Sequence, residues 1–118
     1  MSETIDKIIQ WHTETFPEAT IDGQKMKWED EFEEFSNTST GTVEEALELA
    51  DLVIVSCGIM RFDYAEGFNH LAHTIDLMYS TRMRGHQLWQ AVEQKMTENR
   101  KRKWVIGKGN YQHISEGE

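Results

Sequence analysis

The sequence predicts an all-α fold, a compact helical bundle of about four to five helices, and three observations support this prediction. The chain has one proline among 118 residues. It has no hairpin signals and no convincing run of alternating β-branched residues, while apolar side chains recur at helical spacing. A chain of this length forms one domain. Its hydrophobic content of 38% is low for a self-sufficient monomer, so we expect a homo-oligomer, a dimer or tetramer.

Each helix is placed by its apolar spacing and its ends. Pro17 ends the first helix, Thr42 and Glu45 form a capping box that starts the third, and Gly85 separates the last two. We expect helices at about 2–15, 22–35, 42–61, 65–81 and 86–103, in an all-α domain of residues 1–104 followed by a polar tail, residues 105–118. The expected buried faces are Ile5, Ile8, Ile9 and His12; Trp28, Phe32 and Phe35; Phe68, Leu71, Ile75 and Met78; and Leu88, Val92 and Met96.

Charge and composition exclude several classes of protein. A net charge of -9 argues against nonspecific nucleic-acid binding, which requires Lys and Arg. The N-terminus lacks a secretion signal, and no stretch reaches the roughly 20 apolar residues of a membrane span. Cys57 is the only cysteine, which is typical of a core residue in a reducing compartment. We therefore expect a cytoplasmic protein, in a bacterial cell or in the host of a phage, that binds neither nucleic acid nor membrane.

Two pairs of acids at i,i+3 spacing, Glu31 with Glu34 and Glu48 with Asp51, lie on consecutive helices. The second pair falls inside the most apolar stretch of the chain, residues 46–55. Isolated carboxylates buried there would cost many kcal/mol or take up protons. Helical phase also places the first pair beside the aromatic stripe of its helix, unlike the neighbouring acids. Something positive is therefore expected to compensate these side chains.

A divalent metal is the simplest compensating group. Mg²⁺ prefers oxygen ligands and commonly bridges carboxylates to phosphate oxygens, and Mn²⁺ is the alternative metal. For any single pair, a solvated surface is the commoner interpretation, and the apolar setting of Glu48 and Asp51 favours metal. Di-iron sites on helices require Glu-x-x-His pairs, and none occurs, because Glu66 and His70 have the wrong spacing.

The last helix has the opposite charge. Lys95, Asn99 and Arg102, at i, i+4 and i+7, share one face. Two interpretations stay open on spacing alone: a phosphate-binding face, or cations that complement the helix dipole in water. Trp11 and His12 are likewise either contacts for a nucleobase or packing residues.

Three segments resemble the MazG-type nucleoside triphosphate pyrophosphohydrolases, the all-α NTP pyrophosphatases. Lys27–Phe35 (KWEDEFEEF) looks like their E-E-x-x-E-L helix, Glu45–Asp51 (EALELAD) their E-x-x-D helix, and Lys95–Arg102 (KMTENRKR) their K-x-x-x-N-x-x-R element. The segments occur in the family's order and cover about residues 25–104. Gln10–His12 and Lys101–Trp104 also resemble phage and bacterial dATP/dGTP pyrophosphohydrolases.

The resemblance implies a reaction and a role for each residue. The reaction is hydrolysis of a (deoxy)nucleoside triphosphate, such as dGTP or dATP, to the monophosphate and pyrophosphate, in nucleotide-pool sanitation or phage nucleotide metabolism. The implied metal ligands are Glu31, Glu34, Glu48 and Asp51; the catalytic residues are Glu31, Glu34, Lys95 and Arg102; and the phosphate- and sugar-binding residues are Lys95, Asn99 and Arg102. Trp11, His12 and Lys27 are further candidates for substrate binding. Two alternatives stay open, a dUTPase-like pyrimidine enzyme and a non-catalytic helical module that senses nucleotides or binds a partner.

Overall fold

The computed structural model describes residues 3–106 and 111–114, with side chains described as far as residue 104. In that part of the chain five helices follow one another: α1 (Ile5–Thr15), α2 (Ile21–Ser36), α3 (Val43–Met60), α4 (Tyr64–Ser80) and α5 (Gly85–Lys101). The strands β1 (Lys103–Ile106) and β2 (Tyr111–Ile114) form an antiparallel pair after them. The predicted helical bundle is confirmed. None of the described helices has the length and apolarity needed to cross a membrane.

Helix α3 is the centre of the bundle and packs against the other four helices. It is buried almost continuously from Leu49 to Met60, as its nearly all-apolar sequence predicts. The few polar side chains there are satisfied. Ser56 donates to the Leu52 carbonyl at 2.7 Å and accepts from the Trp28 indole N–H at 3.2 Å. Cys57 is a buried core residue, as expected.

Side-chain caps explain where the helices begin. Thr4, Thr20 and Thr42 each accept a hydrogen bond from the backbone N–H three residues later, in α1, α2 and α3. The predicted capping box of α3 is half formed. Thr42 accepts from the Glu45 N–H at 3.2 Å, but the Glu45 carboxylate accepts from the Gly41 N–H at 3.1 Å. This contact satisfies one oxygen of the buried Glu45 carboxylate.

The predicted buried face of α4 is partly wrong. Met78 is buried, but Phe68 is 54% exposed. The helix instead turns Gly67 and Thr74 inward. Gly67 sets this orientation, because a Cβ at residue 67 would lie 2.7 Å from the Met60 Cα and closer still to the Met60 backbone nitrogen. The two backbones therefore approach along the glycine face, and the aromatic stripe is rotated towards the surface.

The hairpin is the second difference from the sequence prediction. β1 begins two residues after α5 ends, and Lys103 pairs with Ile114 while Ile106 pairs with Tyr111. The predicted boundary after residue 104 thus falls within a strand. Residues 107–110 and 115–118 of the predicted polar tail lie outside the described residues.

Candidate active site

Four helices, α1, α2, α3 and α5, meet at one cavity of about 510 Å³. The α2 face carries Gln24, Lys27, Glu31 and Glu34, at i, i+3, i+7 and i+10. Every residue that the sequence nominated for metal or substrate lines this cavity: Trp11, His12, Lys27, Glu31, Glu34, Glu48, Asp51, Lys95, Asn99 and Arg102. The structure therefore brings together residues as far apart in sequence as α1 and α5.

The acidic end of the cavity lies between α2 and α3. One carboxylate oxygen from each of Glu31, Glu34 and Glu48 lies within 4.8 Å of the others, a spacing that suits ligands of one cation. Glu31 Oε2 and Glu48 Oε2 are buried and have no hydrogen-bond partner. A buried oxygen without a donor is costly, so these two atoms need a partner, which either a cation among the carboxylates or a proton on Glu31 would supply.

The pKa values of Glu31 and Glu48 are also raised by their position in this cluster. Burial, and then the negative charge of Asp51, raises the pKa of Glu31 from 4.5 to about 8. Burial and the charges of Asp51 and Glu34 also raise the pKa of Glu48. The carboxylates thus resist ionising together, as close like charges do. A divalent cation in their midst would reverse this preference.

Asp51 differs from the other three acids. Its Oδ2 lies 3.3 Å from Lys95 Nζ, and it is outside the group whose oxygens fall within 4.8 Å. Burial raises the pKa of Asp51, and the charge and hydrogen bond of Lys95 work against that rise. In this arrangement Asp51 joins the acidic cluster to the cations of α5.

Cations beside the acids come from α5 and from Arg102, the residue that follows it. Lys95, Asn99 and Arg102 share one side of the cavity. Arg102 Nη1 donates to Asn99 Oδ1 at 3.3 Å, and Arg102 Nη2 lies 3.8 Å from a Glu98 carboxylate oxygen. On α2, Lys27 Nζ lies 3.7 Å from Glu31 Oε1. These contacts hold the cations beside the acids, within reach of an anion that enters between them.

An aromatic group forms the far end of the cavity. Trp11, Phe16 and Trp104 meet edge to face, with ring centroids 5.2 Å apart for Trp11 and Phe16 and 5.0 Å apart for Phe16 and Trp104. Trp104 Nε1 donates to the Asn99 carbonyl at 3.3 Å, which ties this group to α5. The site therefore has a charged end suited to phosphates and an aromatic end suited to a planar ring.

His12 is buried at the aromatic end of the cavity, and both of its ring nitrogens have hydrogen-bond partners. It is 3% exposed, and burial lowers the pKa of its ring from 6.5 to about 4. Arg61 Nη1 lies 3.2 Å from His12 Nδ1 and donates to the Phe16 carbonyl at 2.7 Å. The histidine also hydrogen-bonds to the Gln24 side chain. His12 is thus a neutral ring fixed on both of its nitrogens.

Sequence reasoning missed five residues that line the cavity: Phe16, Gln24, Ile54, Val55 and Trp104. A signal for Gln24 was present, because it lies seven residues before Glu31 and three before Lys27 and so shares their helix face. Phe16 and Trp104 lie at or beyond helix ends, where helical phase gives no direction. No protein-family model, curated protein or solved structure matches the chain.

Proposed function

We propose that the protein is a Mg²⁺-dependent nucleoside triphosphate pyrophosphohydrolase that cleaves a (deoxy)nucleoside triphosphate, such as dGTP or dATP, to the monophosphate and pyrophosphate. The observation that carries the proposal is the pair of buried oxygens without partners, Glu31 Oε2 and Glu48 Oε2. They lie in the cavity that Lys95 and Arg102 also line. A site that holds clustered acids with cations beside them is suited to a metal-bound polyphosphate. The resemblance of the three segments supplies the reaction.

The donor set fits the metal. Glu31, Glu34 and Glu48 offer carboxylate oxygens, the ligands that Mg²⁺ prefers, and Asp51 would complete the set when Lys95 turns to a phosphate. Mn²⁺ accepts the same oxygens and is the expected substitute. When bound, the metal neutralises phosphate charge and lowers the pKa of a coordinated water.

Side chains of the protein would carry out proton transfer, charge stabilisation and substrate positioning. A carboxylate of Glu31 or Glu34 accepts the proton of the attacking water, whose oxygen forms the new bond to phosphorus as the α–β phosphoanhydride bond breaks. The product that is displaced, pyrophosphate for attack at the α phosphorus or the monophosphate for attack at the β phosphorus, leaves with the bonding electron pair. Lys95 and Arg102 stabilise the charge that develops on the phosphate oxygens, Arg102 through paired N–H donors. Lys27 and Asn99 orient the bound phosphates and sugar.

A substrate panel with a matched pair of variants tests the reaction. With Mg²⁺, we expect ribo- and deoxynucleoside triphosphates to yield monophosphate and pyrophosphate. Glu48→Gln should reduce kcat/KM by roughly 100-fold or more, the scale for a lost electrostatic contact to the transition state. Glu44→Gln, an exposed acid on the same helix, should leave it unchanged. Circular dichroism checks the fold of each variant.

Two outcomes would replace the proposal. Release of orthophosphate from the γ position would refute α–β cleavage. Nucleotide binding without turnover for any triphosphate would favour the non-catalytic module. Because its substrates belong to the nucleotide pool, we place the activity in the cytoplasm.

We also infer that the protein is a homo-oligomer built through α4. This helix has an apolar stripe at i, i+4, i+7, i+11 and i+15. Its aromatic members Tyr64, Phe68 and Tyr79 face outwards, while Leu71 and Ile75 are half-buried against the core. Tyr64, Phe68 and Tyr79 are 61%, 54% and 69% exposed. Acids begin α4 and arginines follow it, so an antiparallel second copy would place unlike charges together. A self-complementary patch of this kind suits a two-fold dimer, alone or within a tetramer.

Light scattering after size-exclusion chromatography tests this assembly. Phe68→Glu should convert the oligomer to a folded monomer, because it places a charge in the centre of the stripe. Asn69→Glu adds the same charge to an exposed neighbour outside the stripe and should leave the mass unchanged. A monomeric parent protein would refute the inference.

A further inference from the structure

The direction of the Arg102 side chain is not set by helical phase. Helix α5 ends at Lys101, and the backbone of Arg102 is extended, with φ -75° and ψ 150°. A helical residue at this position would share the face of Lys95 by its i+7 spacing, but Arg102 has left the helix. Its side chain nevertheless lines the cavity. Contacts made after the end of α5 must therefore direct it there.

Two oxygens of Asn99 hold the residues that follow α5. The backbone oxygen of Asn99 accepts from the backbone N–H of Arg102 at 3.3 Å and from Trp104 Nε1 at 3.3 Å. The side-chain oxygen, Oδ1, accepts from Arg102 Nη1 at 3.3 Å. Carbonyls in the last turn of a helix have no partner within the helix, so these donors satisfy the end of α5 and fold the chain back against it.

The ring of Trp104 is held on its other side by α1 and the residue that follows it. Its centroid lies 5.0 Å from that of Phe16 and 6.3 Å from that of Trp11, both edge to face, and both of these residues are buried. Trp104 is thus fixed to the bundle independently of α5. Arg102 lies in the chain between two held residues, Asn99 and Trp104.

Arg102 also has a second partner, which would compete for its guanidinium. Its Nη2 lies 3.8 Å from a carboxylate oxygen of Glu98, whose side chain is 46% exposed. If the turn after α5 opened, the guanidinium could leave Asn99 Oδ1 for Glu98 and water. The bond between the Trp104 indole and the Asn99 carbonyl opposes this change because it keeps the turn closed.

We propose that Trp104 is a positioning residue, whose indole N–H holds the turn after α5 closed and so directs Arg102 towards the phosphates. The inference rests on the proposed function for the role of Arg102 with phosphate. The restraint on Arg102 belongs to the protein without ligand and can be measured there. The N–H of Trp104 acts through Arg102, and the ring of Trp104, which lines the cavity, contributes separately.

Side-chain NMR of the protein without metal or nucleotide tests the restraint. The order parameter of the Arg102 Nε–H bond, from ¹⁵N relaxation, should fall to about 0.6 or below in Trp104→Phe, because this variant keeps an aromatic ring and loses the donor. Trp89→Phe, which removes an indole of α5 outside the cavity, is the matched control and should keep the parent value. An unchanged order parameter in Trp104→Phe would overturn the proposal.

A double-mutant cycle tests whether Trp104 acts through Arg102. Trp104→Phe should reduce kcat/KM by roughly tenfold or more in the parent, the scale for a misplaced catalytic group, and by less than about twofold in Arg102→Met. Mg²⁺ affinity, measured by calorimetry, should be retained in Trp104→Phe. Equal reductions in the two backgrounds, or a loss of Mg²⁺ affinity, would indicate a general structural effect and overturn the proposal.

A second substitution keeps the test decisive if Trp104→Phe fails to fold. Placing 3-benzothienylalanine at residue 104 replaces the indole N–H with sulfur and keeps the shape of the ring, and the same two measurements then decide the proposal. The two hypotheses also fail separately. A fall in the order parameter without hydrolysis of any triphosphate would retain the positioning role and refute the pyrophosphohydrolase. Hydrolysis with an unchanged order parameter would retain the enzyme and refute the positioning role.

Discussion

Metal binding should release a proton from Glu31, and the amount is set by the pKa of that carboxyl. Burial and the charge of Asp51 raise this pKa to about 8. The side chain is therefore protonated in about 0.9 of molecules at pH 7 and in about 0.1 at pH 9. Mg²⁺ or Mn²⁺ binds only the carboxylate. We expect roughly 0.9 proton from Glu31 per metal bound at pH 7 and roughly 0.1 at pH 9.

Isothermal titration calorimetry measures this release directly. Titrations at pH 7 in two buffers of different ionisation enthalpy give the number of protons from the difference in apparent enthalpy. The same pair of titrations at pH 9 gives the smaller value. Because the pKa of Glu48 is raised too, the pH 7 value is a lower bound. The affinity for metal should weaken as the pH falls through 8.

Two variants identify the proton that is released. Glu31→Gln cannot release it, so the difference between pH 7 and pH 9 should shrink by most of one proton. Glu29→Gln, an exposed acid outside the cluster on the same helix, should keep the parent value. Metal binding with no pH-dependent release, or the same release from Glu31→Gln, would refute the argument that these carboxylates hold the cation.

Three further outcomes follow from particular side chains. In EDTA, the carboxyl group of Glu31 should make the folded state less stable as the pH rises. Its pKa is about 8 in the folded protein and about 4.5 in the unfolded chain, so the folded state binds the proton more tightly. The urea midpoint should fall between pH 5 and pH 8.5 by more in the parent than in Glu31→Gln. The His12 ring should titrate near pH 4 by NMR, and its contribution to stability, complete above about pH 6.5, should be lost as the pH falls towards 4; a midpoint near 6.5 would contradict its burial. Gly67→Ala should cost about 1–3 kcal/mol of unfolding free energy through the clash with Met60, despite the helix propensity gained. Gly85→Ala should cost nothing in the same urea titration.

Helical phase was sufficient to predict the acidic wall. Glu31 and Glu34 could be selected from neighbouring acids because α2 is regular through that region, and Glu48 stood out because its surroundings on α3 are apolar. The partner of Asp51 could not be predicted in this way. Its ion pair with Lys95 joins residues 44 positions apart, and the packing of α3 on α5, which no local pattern encodes, brings them together.

The sequence predictions fail for α4 and for the hairpin, where backbone contacts rather than the side-chain pattern determine the structure. The stripe of α4 reads as a buried face, yet the close approach of Gly67 to Met60 turns Phe68 outwards. The hairpin was missed for a related reason. β1 and β2 are four residues each, too short for alternation to stand out, and their pairing depends on backbone hydrogen bonds that any side chain permits.

If the site binds a metal and a nucleotide, as we propose, the charges around the cavity make each binding event depend on the other. Four carboxylates face three cations, Lys27, Lys95 and Arg102, and His12 contributes no charge near neutral pH because its pKa is about 4. With every carboxylate ionised the site is negative and repels a triphosphate, and a proton on Glu31 only makes it neutral. A divalent cation makes the site positive while all four acids stay ionised. A bound metal would therefore keep the carboxylates ionised, so that one can accept a proton, and would make the site attractive to a triphosphate. A proton on Glu31 in place of the metal would do neither.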